Sequence, residues 1–169
     1  MTKPDDLEAR LGKQAAALFN GDFILVETYS GHRSSRFDPH GAQHLLAPEA
    51  GDETLGAAIL DALSRSRFLP LEDARPFLDP QRVRQEYAAW TQSLMTRYRY
   101  KTKRALFGDM IRCGIQMAAD IITIKPARHD RLEGWGRTLG DGIEDVVIPD
   151  GSTAADVGAA LRLGFSRCE

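Results

Sequence analysis

Residues 111–126 of this 169-residue chain, IRCGIQMAADIITIKP, decide its fold class. Apolar residues alternate with polar or small ones over positions 111–117, a period of two that is typical of a half-buried β-strand. The residues at 118–120 can turn the chain, and residues 121–125 can pair back on the first strand until Pro126 ends it. The segment therefore predicts a β-hairpin.

Outward from this hairpin, the pattern alternates between short strands and amphipathic helices. Apolar runs bounded by turn residues predict further strands at residues 23–26, 35–37, 44–47 and 145–148. Helical spacing predicts helices at residues 5–19, 52–65, 80–98 and 153–165. Residues 67–79 and 127–143 carry prolines and glycines that indicate irregular structure. We expect an α+β fold, a single domain over residues 1–169, with a mixed or antiparallel sheet of about five short strands and three to four helices packed on it.

The helix at 80–98 has the clearest periodicity. Asp79 can accept hydrogen bonds from the free N–H groups of the first turn, and Pro80 suits the first helical position. The apolar stripe that follows consists of Val83, Tyr87, Trp90, Leu94 and Tyr98. This spacing places all five side chains on one face, which predicts that the stripe is buried in the core.

Residues 45–66 and 146–168 resemble each other. Each has an apolar run, a proline, a turn and a capped helix that contains Gly-Ala-Ala. Either two similar strand–turn–helix units arise from shared physics, or the chain has an internal repeat. In both cases Gly56 and Gly158 cost helix propensity, so we expect another element to pack closely over each glycine.

Charge and cysteine content exclude several classes of protein. The net charge of −2 argues against a dedicated nucleic-acid binder, which usually has a strong basic excess. Cys113 and Cys168 lack the spacing of a zinc site, so we expect two reduced thiols and no metal or other cofactor. The apolar runs are too short to cross a membrane, and the N-terminus lacks the apolar region of a signal peptide. These features predict a cytoplasmic protein.

Residues 129–133, HDRLE, are the strongest candidate for a catalytic motif. On a helix, His129 and Glu133 would share a face and could ligate a metal, which suggests a small metal-dependent hydrolase that uses His129, Asp130 and Glu133. The neighbouring glycines favour a loop instead. The basic and aromatic run at 98–104, YRYKTKR, is a weaker candidate for single-stranded nucleic-acid binding. No phosphate-binding loop or nucleophile motif is present, so we expect no catalytic residue.

Four segments resemble immunity proteins of bacterial contact-dependent growth inhibition (CDI) systems. They are residues 53–69 (ETLGAAILDALSRSRFL), 100–110 (YKTKRALFGDM), 129–135 (HDRLEGW) and 146–168 (VVIPDGSTAADVGAALRLGFSRC). Their order and spacing also match, so that the resemblance covers most of residues 22–168. The resemblance implies a non-catalytic α/β protein that binds the toxic C-terminal domain of a large surface protein from a neighbouring cell. Many such toxins are RNases that attack tRNA, and their inhibitors plug the active site or block substrate access.

The resemblance provides no shared catalytic motif, and the toxin-contacting residues of the family vary among cognate pairs. Because loops on a rigid scaffold usually carry recognition, we expect the partner-binding residues in two loop groups. The first group is Glu27, Tyr29, His32, Arg33 and Asp38; the second is Asp130, Glu133, Trp135, Asp141 and Glu144. Their carboxylates could occupy the positions of RNA phosphates in a basic cleft. The expected partner is the cognate toxin domain, with no direct binding of nucleic acid or membrane.

Overall fold

The computed structural model describes residues 4–169, with six helices and nine strands in that range. The helices are α1 (Pro4–Leu11), α2 (Asp52–Ser64), α3 (Leu71–Phe77), α4 (Pro80–Tyr98), α5 (Lys103–Phe107) and α6 (Ala154–Ser166). The strands are β1 (Lys13–Phe19), β2 (Ile24–Gly31), β3 (Ser35–Phe37), β4 (Gln43–Leu46), β5 (Ile111–Ala118), β6 (Ile121–Pro126), β7 (Arg128–Arg131), β8 (Gly134–Gly136) and β9 (Val146–Pro149). None of the helices in the described range is long and apolar enough to cross a membrane.

Seven strands form one antiparallel sheet in the order β3-β2-β1-β5-β6-β9, with β4 also paired to β2. Strands β7 and β8 form a separate two-stranded hairpin. The predicted α+β class is confirmed, and the sheet is larger than the five strands expected. The quoted segment forms the predicted hairpin of β5 and β6, and its turn places Ala119 and Asp120 at positive φ.

One face of the sheet carries the main core. Helices α2 and α6 lie side by side on this face and bury their apolar residues against alternate positions of β1, β2, β5 and β6. Leu63 of α2 and Leu161 of α6 are completely buried, as are Val26 and Ile124 from the sheet below. We call this surface the helical face of the sheet, and the opposite surface the second face.

Two halves of the chain repeat the same plan around an approximate twofold axis. The N-terminal unit consists of β1, β2, β4 and α2, and the C-terminal unit of β5, β6, β9 and α6. The axis passes between the antiparallel neighbours β1 and β5, so that β2 corresponds to β6 and β4 to β9. The pairing registers agree, because Ala15 pairs with Thr28 while its counterpart Cys113 pairs with Pro126.

The contacts between α2 and α6 are reciprocal. A Cβ added to Gly56 would lie 1.6 Å from the Ala154 carbonyl oxygen, and one added to Gly158 would lie 1.8 Å from that of Asp52. Each glycine therefore lets the first turn of the other helix approach its backbone directly. The predicted close packing over both glycines is confirmed, and it joins the two units.

The helix predicted over residues 5–19 is wrong beyond Leu11. Gly12, at φ +60°, ends α1, and residues 13–19 form the central strand β1. The alanines of this segment favour a helix when considered locally. In the sheet, however, Ala15, Ala16 and Ala17 are buried between β2 and β5, and this tertiary pairing overrides the local preference.

Two segments predicted to be irregular contain regular structure. Residues 71–77 form α3, in which Pro70 precedes the first turn and Pro76 affects only the last. Within residues 127–143, strands β7 and β8 form a short hairpin around His129 and Trp135. Helix α5 was also not predicted, although the Thr102 hydroxyl caps it by accepting a hydrogen bond from the Ala105 N–H at 3.1 Å.

The second face of the sheet is covered over only part of its area. The C-terminal half of α4, together with α5, packs on this face with Leu94, Leu106 and Phe107. The prediction of a buried stripe along all of α4 is wrong for its N-terminal half. There Val83 and Trp90 are only half-buried, and Tyr87 is 39% exposed.

Candidate functional site

A groove separates the N-terminal half of α4 from strands β2 and β3. Its volume is about 240 Å³, and it is lined by Glu27, Tyr29, Ser35, Arg36, Phe37, Val83, Glu86, Tyr87 and Trp90. We call it the α4 groove. It exists because the strand side chains below it and the α4 side chains above it do not pack into one core.

Glu27 lies at the floor of the α4 groove and is buried in β2, with 1% of its surface exposed. Its Oε2 atom accepts a hydrogen bond from Trp90 Nε1 at 3.1 Å. Burial raises the pKa of Glu27 to about 8, against the opposing effects of the Trp90 hydrogen bond, the Arg112 charge and Gln43. The carboxyl group is therefore mostly protonated at neutral pH, and its ionisation depends on what surrounds the groove.

Arg36 forms one wall of the groove. Its Nη1 atom lies 2.7 Å from Glu86 Oε2, its Nε donates to the Phe77 carbonyl at 2.7 Å, and its guanidinium stacks 3.9 Å from the centre of the Phe77 ring. Arg36 Nη2 and Thr91 Oγ1 are buried without a hydrogen-bond partner among residues 4–169. Buried polar atoms usually have such a partner, so these two atoms are exceptions within the wall beside the groove.

A row of aromatic rings connects the α4 groove to the β7–β8 hairpin. Tyr87 stacks on Trp90, with 5.5 Å between ring centres, and Trp90 on Phe107 at 6.2 Å. Trp135 meets Phe107 at 6.2 Å and stacks on His129 at 4.8 Å. These contacts hold the hairpin against α4 and α5, and its Leu132 and Trp135 pack at the edge of the cluster on the second face.

The first predicted loop group is divided by burial. Arg33 is exposed and His32 half-buried, and both lie in the turn after β2, where His32 Nδ1 is 3.0 Å from the Leu69 carbonyl oxygen. Glu27 and Tyr29 line the α4 groove. Asp38 is fully buried, where Ser30, Arg67 and the His40 N–H donate hydrogen bonds to it. Burial would raise the pKa of Asp38, but these hydrogen bonds hold it below its usual value.

The second predicted group is more exposed. Asp130, Glu133 and Glu144 face solvent, and Trp135 is half-buried with its Nε1 donating to the Met110 carbonyl at 2.8 Å. Asp141 holds its own loop together, because its carboxylate accepts from Arg137 and from the Thr138 and Ile143 N–H groups. These bonds, with that of Arg137 first, lower the pKa of Asp141 well below its usual value.

The structure brings together only part of the two groups. His32 and Arg33 follow the Gly31 end of β2, whereas residues 127–145 follow the opposite end of the sheet, where β6 ends. Glu133 connects the second group to the α4 groove, because its Oε1 accepts a hydrogen bond from the Tyr87 hydroxyl at 2.8 Å. Sequence reasoning missed the groove residues Arg36, Glu86, Tyr87 and Trp90, the last two because their periodicity suggested a core stripe.

Neither alternative site is assembled. His129 stacks on Trp135 and its Nε2 lies 3.0 Å from the Leu132 carbonyl, whereas Glu133 faces Tyr87 and Lys103. No group of three His, Cys, Asp or Glu side chains suited to a metal occurs within the described range. In the basic run, Tyr98 stacks on Phe23 at 4.4 Å and is therefore used in packing.

Comparison with known proteins assigns the family. The family model for CdiI, the CDI immunity protein, matches residues 13–168. This chain belongs to the CDI immunity protein family. One relative in this family, the immunity protein CdiI-YPIII of Yersinia pseudotuberculosis serotype O:3 (strain YPIII), is 44% identical over 167 residues, covering 92% of this chain and 94% of the relative.

Solved structures have the same fold as this CDI immunity protein. A CdiA-CT/CdiI toxin and immunity complex from Yersinia pseudotuberculosis contains a chain with a TM-score of 0.87 and 43% identity, covering 93% of this chain and 97% of that one. A protein of unknown function from Neisseria meningitidis has a TM-score of 0.87 and 31% identity, covering 93% and 95%.

Proposed function

We propose that this chain binds the C-terminal toxin domain of a CdiA protein encoded with it, neutralises that toxin in the cytoplasm, and has no catalytic activity of its own. The observation that carries this proposal is the similar chain, matched over 97% of its length, in the CdiA-CT/CdiI toxin and immunity complex. Because the match covers 93% of this chain, the matched region by itself is sufficient for the same mode of partner binding.

The toxin that we propose as the partner is an RNase, and the inhibition is steric occlusion of its active site or substrate path. An RNase binds a polyanion, so its cleft is basic, and an inhibitor competes by presenting carboxylates there. The exposed carboxylates of Asp130, Glu133 and Glu144 are available for this role. Glu27 and Asp38 are buried, so they support the interface from within the scaffold and do not contact the toxin themselves.

We place the centre of the interface at the α4 groove. Tyrosine, tryptophan and arginine dominate the binding energy of most protein interfaces, and Tyr87, Trp90 and Arg36 line this groove together. The β7–β8 hairpin, joined to the groove by Tyr87 and Glu133, then forms one rim of the interface.

The interface is tested by measuring association and dissociation rates for the purified toxin domain. Tyr87→Ala removes an exposed ring of the groove, and we expect affinity to fall tenfold or more, about 1.4 kcal/mol, mainly through faster dissociation. The matched control is Leu163→Ala, which removes an exposed side chain of α6 on the opposite side of the sheet. Equal losses for both variants would contradict the location that we propose.

The electrostatic part is tested with Glu133→Lys and Asp130→Lys across a salt series. If these carboxylates occupy phosphate positions, both variants should associate more slowly, and salt should weaken wild-type binding. Salt-independent affinity with unchanged rates would exclude phosphate mimicry and leave an apolar plug centred on Tyr87 and Trp90. RNA cleavage by the toxin, with and without the immunity protein, tests the proposed RNase activity directly.

A further inference from the structure

Two cysteines that are far apart in sequence lie next to each other. Cys113 of β5 is fully buried on the helical face, and Cys168 follows α6 as the second-last residue. Their Sγ atoms are 3.7 Å apart, and both are free thiols. The spacing in sequence gave no indication of this pair, because the contact depends on where α6 ends above the sheet.

The twofold relation between the units shows that the pair is not required by the scaffold. In the N-terminal unit, Ala15 stands at the position of Cys113, and Ser66 at the position of Cys168. The Ser66 hydroxyl accepts from the Gln14 N–H at 2.9 Å and donates to the Tyr29 carbonyl at 2.7 Å. The same packing is therefore satisfied by alanine and serine, and the C-terminal unit alone carries two thiols there.

The two thiols differ in accessibility and acidity. Cys168 is half-buried, and the hydrogen bond from Cys113 lowers the pKa of Cys168 to about 7, so that part of it is thiolate at neutral pH. Cys113 is buried beneath α6, where Gly164 leaves room for its sulfur atom. Cys168 therefore has the properties of the attacking thiol, and Cys113 those of the resolving thiol.

We propose that Cys113 and Cys168 form a reversible intramolecular disulfide when the protein meets a low-molecular-weight disulfide such as oxidised glutathione. The Cys168 thiolate attacks one sulfur of that disulfide and releases a first glutathione thiolate. The Cys113 sulfur, as it loses its proton, then attacks Cys168 Sγ and releases the second. Two protein thiols are oxidised, one glutathione disulfide is reduced, and the two protons end on the glutathione thiolates.

The bond would tie the C-terminal segment to the sheet and, through it, to the β7–β8 hairpin. Glu169 pairs with this hairpin region on both sides, because the His129 N–H donates to the Glu169 carbonyl at 2.6 Å and the Glu169 N–H donates to the Ala127 carbonyl at 3.2 Å. Arg128 also contacts the Glu169 carboxylate at 2.6 Å. Oxidation would thus fix the base of the hairpin that carries Asp130, Glu133 and Trp135.

The test uses the reduced, full-length protein equilibrated with defined ratios of reduced to oxidised glutathione. Mass spectrometry of the intact chain should show a loss of two hydrogens, and proteolysis without reductant should give one linked pair of peptides that contains both cysteines. Because the bond closes a long loop, we expect the oxidised form to melt about 5 °C higher or more, and reductant to reverse the shift.

The control variants copy the N-terminal unit: Cys168→Ser follows Ser66, and Cys113→Ala follows Ala15. Both should fold and neither should show the mass loss or the redox-dependent melting shift. A stable glutathione adduct on Cys168, a disulfide-linked dimer, or unchanged thiols in excess oxidised glutathione would each overturn the proposal. The toxin is absent from this experiment, so its outcome is independent of the proposed inhibitor function.

Discussion

The N-terminal and C-terminal units agree on one face of the sheet and differ on the other. On the helical face, equivalent positions hold similar apolar residues, such as Val26 and Ile124, and both units pack a Gly-containing helix there. On the second face, Leu25 of the N-terminal unit corresponds to Thr123, and Glu27 to Lys125. The first of each pair is buried under α4, whereas Thr123 is half-buried and Lys125 exposed.

This difference has a structural cause in the segment between the units. Helices α3, α4 and α5 are inserted between the N-terminal and the C-terminal unit. Of these, α4 and α5 cover the second face of the N-terminal unit, and the α4 groove forms where that cover ends. The repeated plan thus provides the scaffold, and the departure from it provides the surface that we propose for the toxin.

The largest expected effect comes from equivalent positions on the second face. Leu25→Ala removes a fully buried side chain and should lower the free energy of unfolding by about 2–5 kcal/mol. Thr123→Ala, its counterpart in the uncovered unit, should cost less than about 1 kcal/mol. Chemical denaturation of both variants measures this, and similar losses would mean that the two second faces are equally covered.

Glu27, which is buried where the C-terminal unit has the exposed Lys125, predicts a pH dependence of stability. The pKa of Glu27 is raised from 4.5 to about 8 on folding, so the protonated form favours the native state. This stabilisation is complete below pH 4.5 and is lost as the pH rises from there through 8, a loss of about 5 kcal/mol. Unfolding free energies from pH 5 to 9 should fall for the wild type relative to Glu27→Gln.

The glycine contacts between α2 and α6 test the symmetry itself. Gly56→Ala and Gly158→Ala each place a methyl group against a carbonyl oxygen of the other helix, so each should cost about 1–3 kcal/mol despite better helix propensity. Denaturation curves should give similar values for the two variants. A loss at one glycine only would show that the helix pair is not reciprocal in solution.

The smallest effect is expected at the edge of the uncovered second face. Val147 of β9 is 56% exposed and corresponds to the half-buried Leu45 of β4. Val147→Thr keeps the branched shape, so thermal and chemical unfolding should change by less than about 0.5 kcal/mol. Leu45→Thr should cost more, because Leu45 packs against the core under α4. Reversal of this order would mean that β9 is covered by an unrecognised contact.

The sequence predicted well the elements whose periodicity agrees with their environment. The β5–β6 hairpin alternates because one side of it faces α6, and the α2 and α6 helices carry the spacing of the face that they bury. Strand β1 could not be predicted, because its alanine-rich composition favours a helix and only the neighbouring strands impose an extended form. The hairpin within residues 127–143 could not be predicted either, because one as short as β7–β8 depends on contacts such as that of Trp135 with Phe107.

The candidate site was predictable only in part. Glu27, Tyr29 and Glu133 were among the expected partner-binding residues, and the structure links all three to the α4 groove or its rim. Tyr87 and Trp90 were assigned to the core. Helical periodicity shows which residues share a face of α4, but not how much of that face the rest of the chain covers. The burial of Asp38 could not be predicted from the sequence either, because it depends on hydrogen bonds from Arg67 and Ser30 in other parts of the chain.

The antiparallel pairing of β1 with β5 has a consequence for the order of folding. Within each unit the strands are close in sequence, as in the β1–β2 and β5–β6 pairs, so their contacts close small loops. The pair between the units joins Lys13 to Met117 and must close a loop that contains α3, α4 and α5. Because closing long loops slows folding, the units should gain structure before the sheet is joined between them, and that joint should limit the folding rate.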